Sequence, residues 1–317
     1  MTNLNLYLKR DGVKMATITL TVSQQQLEKM YQTYQNQIIK VPNHTLFQAK
    51  TSHCTITAYL SKKVVFQGKS PEIEAAKWQS SPTMSSSKKT STSSLPATIK
   101  TLSAVGCDEV GTGDYFGPLV VCCAYVEQHL IDQLQTMGIK DSKALKDLEI
   151  CQLASKIETL IPHQVLILPN EKYNKMVDQG MNANAIKAFL HNQALNKLTQ
   201  SLPTYPNYLI MDEFVNEKKY FEYLKQLPKQ PVIVKENLHF IQKGESVHVA
   251  VAAASILARA SFVKYMSIMS KKLNFDLPKG AGSPVDAAGR QFVKQFGEAK
   301  LKELTKWHFA NTKKILK

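Results

Sequence analysis

Hydrophobic and polar positions along the first part of the chain follow a pattern that predicts a small α+β domain. The segment ATITLTV (residues 16–22) is rich in β-branched residues, as strands are. Ser23 follows it and is a suitable N-cap for a helix that extends to about Ile39. Turn residues separate the apolar segments that come next. We predict further strands at residues 46–50, 54–60 and 64–68, then a short helix at residues 71–78.

Beyond residue 98, strand-like apolar segments alternate with segments of helical periodicity, which predicts an α/β sheet. A strand that ends at Cys107 and the fully apolar LVVCCAYV (residues 119–126) flank an unusual loop, DEVGTGDYFGP. A long helix rich in small residues starts near Ser246, and further helices complete the C-terminal region. The other predicted strands are residues 164–169, 207–212 and 231–236, and the other predicted helices are residues 129–137, 147–161 and 182–201.

A polar segment, QSSPTMSSSKKTSTSS (residues 79–94), separates these two patterns. It contains almost no apolar residue, so it cannot bury enough surface to offset the entropy of ordering, and we predict a flexible linker. The predicted organisation is a short N-terminal extension (1–14), a small basic domain (15–78), the linker (79–97) and a larger domain (98–317).

The chain is strongly basic, because 40 lysines and arginines against 25 aspartates and glutamates give a net charge of +15. More than half of that excess, a net +9, falls in residues 1–100. Such a balance indicates a polyanionic partner, nucleic acid first and an anionic membrane surface second. Uninterrupted apolar segments are much shorter than the ~20 residues of a membrane span, and the N-terminus lacks the pattern of a secretory signal. We therefore expect no membrane association.

Carboxylates follow two of the predicted strands. Asp108 and Glu109 come after the first strand of the larger domain, and Asp212 comes at the end of a later one. Sites in open α/β sheets form at such strand ends, where a carboxylate is costly to bury unless it is paired, hydrogen-bonded or bound to a metal. A helix cap or an ion pair is the alternative for any single one of them. Glu245 begins the helix rich in small residues, which could bring it close to the other acids, although the helix dipole alone also favours an acid there.

Oxygen ligands favour a hard cation, so the predicted cofactor is Mg²⁺, with Mn²⁺ as a substitute. Neither group of acids has a Cys/His cluster beside it in the sequence, which argues against structural zinc. Two such ions about 3.5–4 Å apart can activate water and stabilise the leaving oxygen in phosphodiester cleavage, so the chain is a nuclease candidate. The five cysteines are odd in number and form no CxxC pair, which predicts a reducing, cytoplasmic location.

Gly111, Gly113 and Gly117 make the loop after the first acids unusual. Their spacing matches neither GxGxxG nor GxxxxGK[ST], so functions that need a nucleotide cofactor are not supported. The glycines either form a tight turn between strands or let the loop approach a nucleic-acid backbone and sense a 2′-hydroxyl. Tyr115 and Phe116 are candidates for stacking on a base, although one of them is expected in the core.

Lysines flank the predicted strands of the small basic domain, among them Lys50, Lys62 and Lys63. They are either solvated strand ends or part of a surface that contacts phosphates. The lack of compensating acids in that domain favours the phosphate-contacting surface.

Several segments are similar to motifs of the type 2 ribonuclease H family and occur in the same order. They are DEVGTGDYFGPLVV (108–121), KDSKAL (140–145), YLIMDEF (208–214), KGESVHVAVAAASILAR (243–259) and KWHFANTKK (306–314). Within that family the chain most resembles the bacterial ribonuclease HIII group. It has GTG at residues 111–113 where ribonuclease HII typically has GRG, and Glu245 where ribonuclease HII typically has Asp. The basic N-terminal domain also favours that group.

The resemblance implies an RNase H-like mixed-sheet catalytic domain with a helical C-terminal region, and an N-terminal α+β domain like the TATA-box-binding protein. It implies that Asp108, Glu109, Asp212 and Glu245 bind the metals and cut the RNA strand of RNA–DNA hybrids by two-metal catalysis, leaving 5′-phosphate and 3′-hydroxyl ends. Nothing in the sequence demands a protein partner, so a monomer is expected. The candidate substrate-binding residues are Gly111, Thr112, Gly113, Tyr115, Lys143, Lys50, Lys62 and Lys63.

Two other functions stay open at this point. One is non-catalytic nucleic-acid binding by the basic domain, and the other is structure-specific cleavage of DNA by the same core. The strand-end acids weigh against simple binding, because they repel nucleic acid unless a metal is present.

Overall fold

The computed structural model describes residues 3–8, 14–42, 45–78, 95–139, 145–227 and 231–317, with side chains from residue 17 onward. The chain divides into two compact units, residues 1–89 and 90–317. The segment 79–94, predicted as a flexible linker, lies outside the described residues.

The N-terminal unit is built on a six-stranded antiparallel sheet with the strand order β1-β2-β6-β5-β4-β3. The sequence predicts an extension at residues 1–14, whereas the structure pairs residues 3–8 with β2 as the edge strand. The strands are β1 (Asn3–Leu8), β2 (Lys14–Thr21), β3 (Ile38–Lys40), β4 (Thr45–Lys50), β5 (Cys54–Tyr59) and β6 (Lys63–Gly68), and the helices are α1 (Gln24–Tyr34) and α2 (Pro71–Ala76).

Helix α1 starts where the sequence predicts but ends earlier. The Ser23 hydroxyl accepts a hydrogen bond from the Gln26 amide (3.1 Å), and the Gln26 side chain accepts one from the Ser23 amide (3.0 Å). This reciprocal pair satisfies two amide groups at the helix N-terminus. The helix ends at Tyr34, and a single 3₁₀ turn leads into β3 instead of a helix that continues to residue 39.

Only one face of the N-terminal sheet packs against the helices. Phe47, Ile56 and Phe66 are fully buried and pack in one core with Leu27 and Met30 of α1. The residues between them in each strand, on the opposite face, are partly or fully exposed. This alternation is typical of an antiparallel sheet with one packed and one solvated face.

The C-terminal unit contains a five-stranded mixed sheet with the order β11-β10-β7-β8-β9. Strand β10 is parallel to both of its neighbours, β7 and β11. Strand β8 is antiparallel to both of its neighbours, β7 and β9. This confirms the predicted mixed-sheet class. The strands are β7 (Ala104–Val110), β8 (Leu119–Val126), β9 (His163–Leu168), β10 (Leu209–Asp212) and β11 (Leu238–Ile241).

The predicted strand at residues 231–236 is wrong, because this segment is irregular and β11 begins only at Leu238. A side chain, and not a neighbouring strand, forms hydrogen bonds with two backbone groups of this segment. Asn192 donates to the Val232 carbonyl oxygen (2.8 Å), and its amide oxygen accepts from the Val234 nitrogen (2.9 Å). A buried asparagine from another element therefore replaces the hydrogen bonds that a sheet would supply.

Helices cover both faces of the larger sheet, and each face has its own hydrophobic core. Helix α10 is kinked at Gly297, whose φ is +82°. The helices are α3 (Ile131–Thr136), α4 (Asp147–Leu160), α5 (Asn170–Asp178), α6 (Ala183–Ser201), α7 (Glu217–Lys225), α8 (Gly244–Val247), α9 (Val249–Leu273), α10 (Ser283–Leu304) and α11 (Ala310–Ile315).

Helix α9 lies directly against the backbone of β7, as its small residues predict. A Cβ atom added at Gly106 would lie 2.1 Å from the Val251 nitrogen and 2.2 Å from the Ala250 carbonyl carbon. By length and mean hydropathy (1.4) α9 could cross a membrane, but 67% of its apolar window is buried, as in a core helix. His248, just before α9, is also buried; it accepts from the Ala250 amide (3.0 Å) and donates to the Leu102 carbonyl (2.9 Å).

Candidate active site

Strand pairing brings the first acids together at one edge of the larger sheet. β7 and β10 are parallel neighbours, and Met211 pairs with Cys107. Asp212 and Asp108 are the next residues in this register, so they occupy equivalent positions on adjacent strands. The strand register therefore places two acids from distant parts of the sequence side by side at one end of the sheet.

A loop amide connects Asp212 to the helix that carries Glu245. The Gly244 amide donates a 2.7 Å hydrogen bond to Asp212 Oδ1. Lys243, the residue before it, has left-handed backbone angles (φ +56°, ψ +49°), which are uncommon for a non-glycine residue. This turn starts α8 and places the partly buried Glu245 one residue beyond the amide that binds Asp212.

Asp108 is held in surroundings that disfavour its charge. Burial raises the pKa of Asp108 to about 6, and the charges of Glu109 and Asp212 act in the same direction. A hydrogen bond from Ser255 and one from the Glu109 amide (2.7 Å) to Asp108 Oδ1 oppose that rise in pKa. Carboxylates that raise one another's pKa by repulsion are suited to share a cation.

Glu109 has the opposite environment. Burial acts to raise its pKa, but His191 and Lys187 outweigh burial, so the pKa of Glu109 is lowered. Lys187 Nζ lies 2.9 Å from Glu109 Oε1, and His191 Nε2 lies 2.9 Å from Glu109 Oε2. Both partners are almost completely buried, and Phe214 covers them, with Lys187 Nζ 4.2 Å from the ring centroid and His191 stacked on the ring at 5.3 Å.

Sequence analysis missed Lys187 and His191, although a signal was present. They are four residues apart and therefore lie on one face of α6. Most of the residues around them on that helix are apolar and buried, so any polar side chain among them needs a buried partner. The partner, Glu109, is 78 and 82 residues away in sequence and could not be identified without the fold.

A Cys/His cluster does lie behind Glu109, contrary to the sequence-based expectation. Ligand atoms of Cys107, Cys123 and His191 all lie within 4.8 Å of one another, and all three residues are buried. Burial raises the pKa of both thiols, which favours the protonated, uncharged form. Cys107 and Cys123 face each other across β7 and β8 as small core residues.

The glycine loop, residues 111–117, follows the acids on β7. Gly111 has φ +97°, and a Cβ atom there would lie 2.2 Å from the Pro118 carbonyl oxygen, so the turn itself requires glycine. Gly113 is exposed, and a Cβ atom there would meet no atom within 4 Å. The fold therefore does not require glycine at 113. Between them, the Thr112 hydroxyl is buried without a hydrogen-bond partner among the described residues.

Tyr115 does not lie on a binding surface, so its predicted role in stacking on substrate is wrong. Both Tyr115 and Phe116 are fully buried. The Tyr115 hydroxyl lies 3.0 Å from the Thr312 hydroxyl, and its ring contacts those of Phe116 and Phe309. These aromatic residues anchor the loop in the core, where Gly111 and Gly117 are also buried, and only Gly113 of the three glycines is exposed.

The predicted lysines have different outcomes. Lys143 lies outside the described residues. Lys50 ends β4, Lys63 starts β6, and both are exposed on the face of the N-terminal sheet opposite its core. Lys62 is exposed in the turn between β5 and β6 and has φ +64°.

The donor set fits a hard divalent cation. Asp108, Glu109, Asp212 and Glu245 supply carboxylate oxygens, the ligands that Mg²⁺ and Mn²⁺ prefer. Burial and the neighbouring carboxylates raise the pKa of Asp108. A cation bound between these carboxylates would lower that pKa again.

Comparisons with known proteins agree with this arrangement. Residues 105–312 match the family model of ribonuclease HII, and residues 17–91 match that of a domain of unknown function (DUF3378). The chain is 45% identical over 309 residues to ribonuclease HIII of Listeria monocytogenes serotype 4b (strain CLIP80459), covering 96% of this chain and 99% of that protein. It is also 45% identical over 308 residues to ribonuclease HIII of Bacillus mycoides (strain KBAB4), covering 95% and 98%.

Solved structures give the same result. A crystal structure of Bst-RNase HIII in complex with Mn²⁺ is 42% identical, with a TM-score of 0.66 over 95% of this chain and 98% of that one. The Aquifex aeolicus RNase H3 structure, at 21% identity and a TM-score of 0.52 over 91% and 98%, shares the fold. The chain therefore belongs to the ribonuclease HII family, in its ribonuclease HIII group, and is a ribonuclease H.

Proposed function

We propose that the protein cuts the RNA strand of RNA–DNA hybrids endonucleolytically and leaves 5′-phosphate and 3′-hydroxyl ends. The observation that carries this proposal is the position of Asp108, Glu109 and Asp212 on two adjacent strands, with a glycine loop directly after them. Acids at this edge supply the cleavage site, and the loop supplies the means to recognise ribose.

Asp108, Glu109, Asp212 and Glu245 would hold two Mg²⁺ ions, for which Mn²⁺ can substitute. When bound, such ions lower the pKa of the attacking water and stabilise the negative charge on the departing oxygen. The similarity to Bst-RNase HIII, which was crystallised in complex with Mn²⁺, supports the use of Mn²⁺.

Side chains and amides around the acids preorganise them for this task. Lys187 and His191 bind one oxygen each of Glu109, so they keep that carboxylate charged and fix its orientation. The Gly244 amide fixes the orientation of one oxygen of Asp212. Donors that hold the ligands in place before substrate arrives reduce the reorganisation needed during cleavage.

Residues 111–113 of the glycine loop, whose exposed tip is Gly113, would recognise the 2′-hydroxyl of the ribonucleotide. Gly113 has no side chain and nothing near the position of its missing Cβ, so a sugar can approach the backbone there. The 2′-hydroxyl is the group by which a protein distinguishes RNA from DNA. This contact would explain cleavage of the RNA strand only.

The N-terminal sheet would add affinity for the hybrid. Lys50, Lys62 and Lys63 are exposed at the ends of its strands and can contact phosphates. Contacts of this kind strengthen binding without reading sequence, and they make it sensitive to salt. The two units would then divide binding and cleavage between them.

The test is cleavage of four labelled substrates of one sequence, in Mg²⁺ and separately in Mn²⁺. They are an RNA–DNA hybrid, a DNA duplex with one ribonucleotide, a DNA duplex and an RNA duplex. We expect metal-dependent internal cleavage of the hybrid and products with 5′-phosphate ends. Cleavage of the DNA duplex at a similar rate would instead support a structure-specific DNA nuclease, and no metal-dependent product at all would contradict the proposal.

The cellular setting stays a prediction. All five cysteines are free, and four of them are buried, which agrees with a reducing, cytoplasmic location. We likewise propose that the protein acts as a monomer without an obligatory protein partner.

A further inference from the structure

Lys306 is a fully buried lysine in the segment that follows α10. Lysine is almost never fully buried unless it is paired. Among the described residues its ammonium group forms no ion pair; instead, Nζ donates to two main-chain oxygens, Asp114 O at 2.7 Å and Gly117 O at 2.8 Å. Both acceptors belong to the glycine loop, 192 and 189 residues earlier in the chain.

The backbone around Lys306 binds the same loop. The Lys306 amide donates to the Tyr115 carbonyl oxygen (2.8 Å), and the Gly117 amide donates to the Leu304 carbonyl oxygen (3.1 Å). The segment is itself fixed by Asn174, whose side chain donates to the Thr305 carbonyl oxygen at 2.9 Å. The inner half of the loop, residues 114–117, is therefore attached to a rigid support.

In the outer half of the loop, Gly111 is buried close to the Pro118 carbonyl oxygen, and its own carbonyl oxygen accepts from the Asp114 amide (3.3 Å). Gly113 is exposed, and a Cβ atom there would meet nothing within 4 Å. The position of the inner half therefore contributes to the conformation of residues 111–113. Without the Lys306 ammonium group, the carbonyl oxygens of Asp114 and Gly117 would lose this donor, and the loop would have to rearrange to satisfy them.

We propose that Lys306 is a positioning residue for substrate discrimination: by binding the Asp114 and Gly117 carbonyl oxygens, its ammonium group holds residues 111–113 in the one conformation that fits a ribose. This inference rests on the proposed function of the loop. Lys306 does not touch the four acids in this arrangement and acts only through the loop. It should therefore affect the choice between ribose and deoxyribose more than the rate of bond cleavage.

The test compares Lys306→Met with the full-length wild type. Methionine has a similar length and no donor. We measure kcat and KM on an RNA–DNA hybrid, and the ratio of affinities for the hybrid and for a DNA duplex of the same sequence. We expect the affinity ratio to fall about ten-fold, KM to rise by a similar factor and kcat to change much less. A ten-fold change in affinity corresponds to the loss of roughly one buried hydrogen bond. Lys313→Met is the control, because Lys313 is exposed on α11 and its loss removes the same charge.

Hydrogen exchange of peptides covering residues 108–118, without substrate, gives a second readout that does not depend on activity. We expect faster exchange in Lys306→Met and no change in Lys313→Met. An unchanged affinity ratio, or unchanged exchange in the loop, would overturn the proposal. If wild type itself does not prefer the hybrid, the proposed function fails, while the exchange result still reports on Lys306.

Should Lys306→Met be unfolded at the assay temperature, Lys306→Gln replaces it, because its amide keeps a donor. An affinity ratio below that of wild type, or faster exchange in the loop, then supports the proposal. A ratio equal to that of wild type in a folded Lys306→Gln, together with unchanged exchange in the loop, overturns it.

Discussion

In the N-terminal sheet one face packs on helices and the other carries partly exposed side chains, such as Gln48 and Thr57. The sheet of the larger unit has a hydrophobic core on each face. A sheet with an open face offers an area for binding, whereas a sheet buried on both faces offers an edge where a few groups are held firmly. The two units therefore present different kinds of surface, an open face in one and an edge that carries acids in the other.

The largest effect is expected at the edge of the buried sheet. Asp212→Asn removes one charge while it keeps an oxygen that can accept from the Gly244 amide. We expect the rate of hybrid cleavage to fall by about 10³-fold or more, because a metal ligand is lost, with folding and hybrid binding largely retained. The measurement is single-turnover cleavage beside a melting curve.

Asp178→Asn is the control for that variant, because Asp178 is exposed on α5. It should cleave like wild type. Full activity of Asp212→Asn in Mg²⁺ would show that Asp212 holds no essential metal. The edge of the larger sheet would then not be distinguished from the open face of the N-terminal sheet by a role in cleavage.

The second prediction concerns the covered face of the same sheet. In Gly106→Ala the new methyl group would lie about 2 Å from the backbone of α9, so the helix must move away from β7. We expect the free energy of unfolding to fall by about 3 kcal/mol or more, measured by urea denaturation.

Gly113→Ala is the matched glycine variant for Gly106→Ala. A methyl group there meets no atom within 4 Å, so the unfolding free energy should change by less than about 0.5 kcal/mol. If the loop recognises ribose, the same variant should still bind the hybrid more weakly. Equal loss of stability in both glycine variants would contradict the close contact between α9 and β7.

The third prediction addresses the open face of the N-terminal sheet. Lys50 and Lys63 lie on that face, whereas Lys77 pairs with Glu74 on α2 at 2.9 Å. In the double variant Lys50→Met, Lys63→Met, the slope of log affinity for the hybrid against log salt should become shallower by about one unit per lost phosphate contact. Lys77→Met should change it much less. An unchanged slope in the double variant would show that the open face is not used.

The last prediction is a pH dependence of stability caused by Lys306. Burial lowers the pKa of Lys306 to about 7 in the folded protein, whereas it is about 10.4 in the unfolded chain. The charge of Asp114 opposes this shift. The ring of Tyr173 also faces the ammonium group, with its centroid 5.8 Å from Nζ. Between these values the unfolded chain holds one more proton, so stability rises with pH across that window. Lys306→Met lacks this contribution.

The melting temperature of Lys306→Met should therefore fall further below that of wild type at about pH 9 than at about pH 6. Groups that titrate equally in both proteins cancel in this difference. A gap between the two proteins that does not change with pH would show that Lys306 keeps its ordinary pKa.

Local patterns predicted the acids and most of the elements, because a strand, a cap or a glycine turn depends on neighbours in sequence. Ser23 illustrates this, since its partner is three residues away. The errors arose where distant residues decide the outcome. Asn192 binds backbone groups of Val232 and Val234, where a strand was predicted. Thr312 binds the hydroxyl of Tyr115, which was expected to meet substrate.

The partners of Glu109 and of the glycine loop were missed for the same reason. The neighbours of Lys187 in sequence indicate that it is buried but do not identify its partner, and those of Lys306 give no such indication. Their burial depends on the packing of α6 and of the segment after α10 against the larger sheet. Periodicity indicates that a helix face is buried, but it does not identify the group that faces it.

The distance in sequence between the glycine loop and Lys306 also has a consequence for the order of events during synthesis. The loop leaves the ribosome early, while the lysine that holds two of its carbonyl oxygens is added 192 and 189 residues later. Contacts between residues so far apart form only after most of the intervening chain has been made. A growing chain would thus carry all four acids before its loop is held in place.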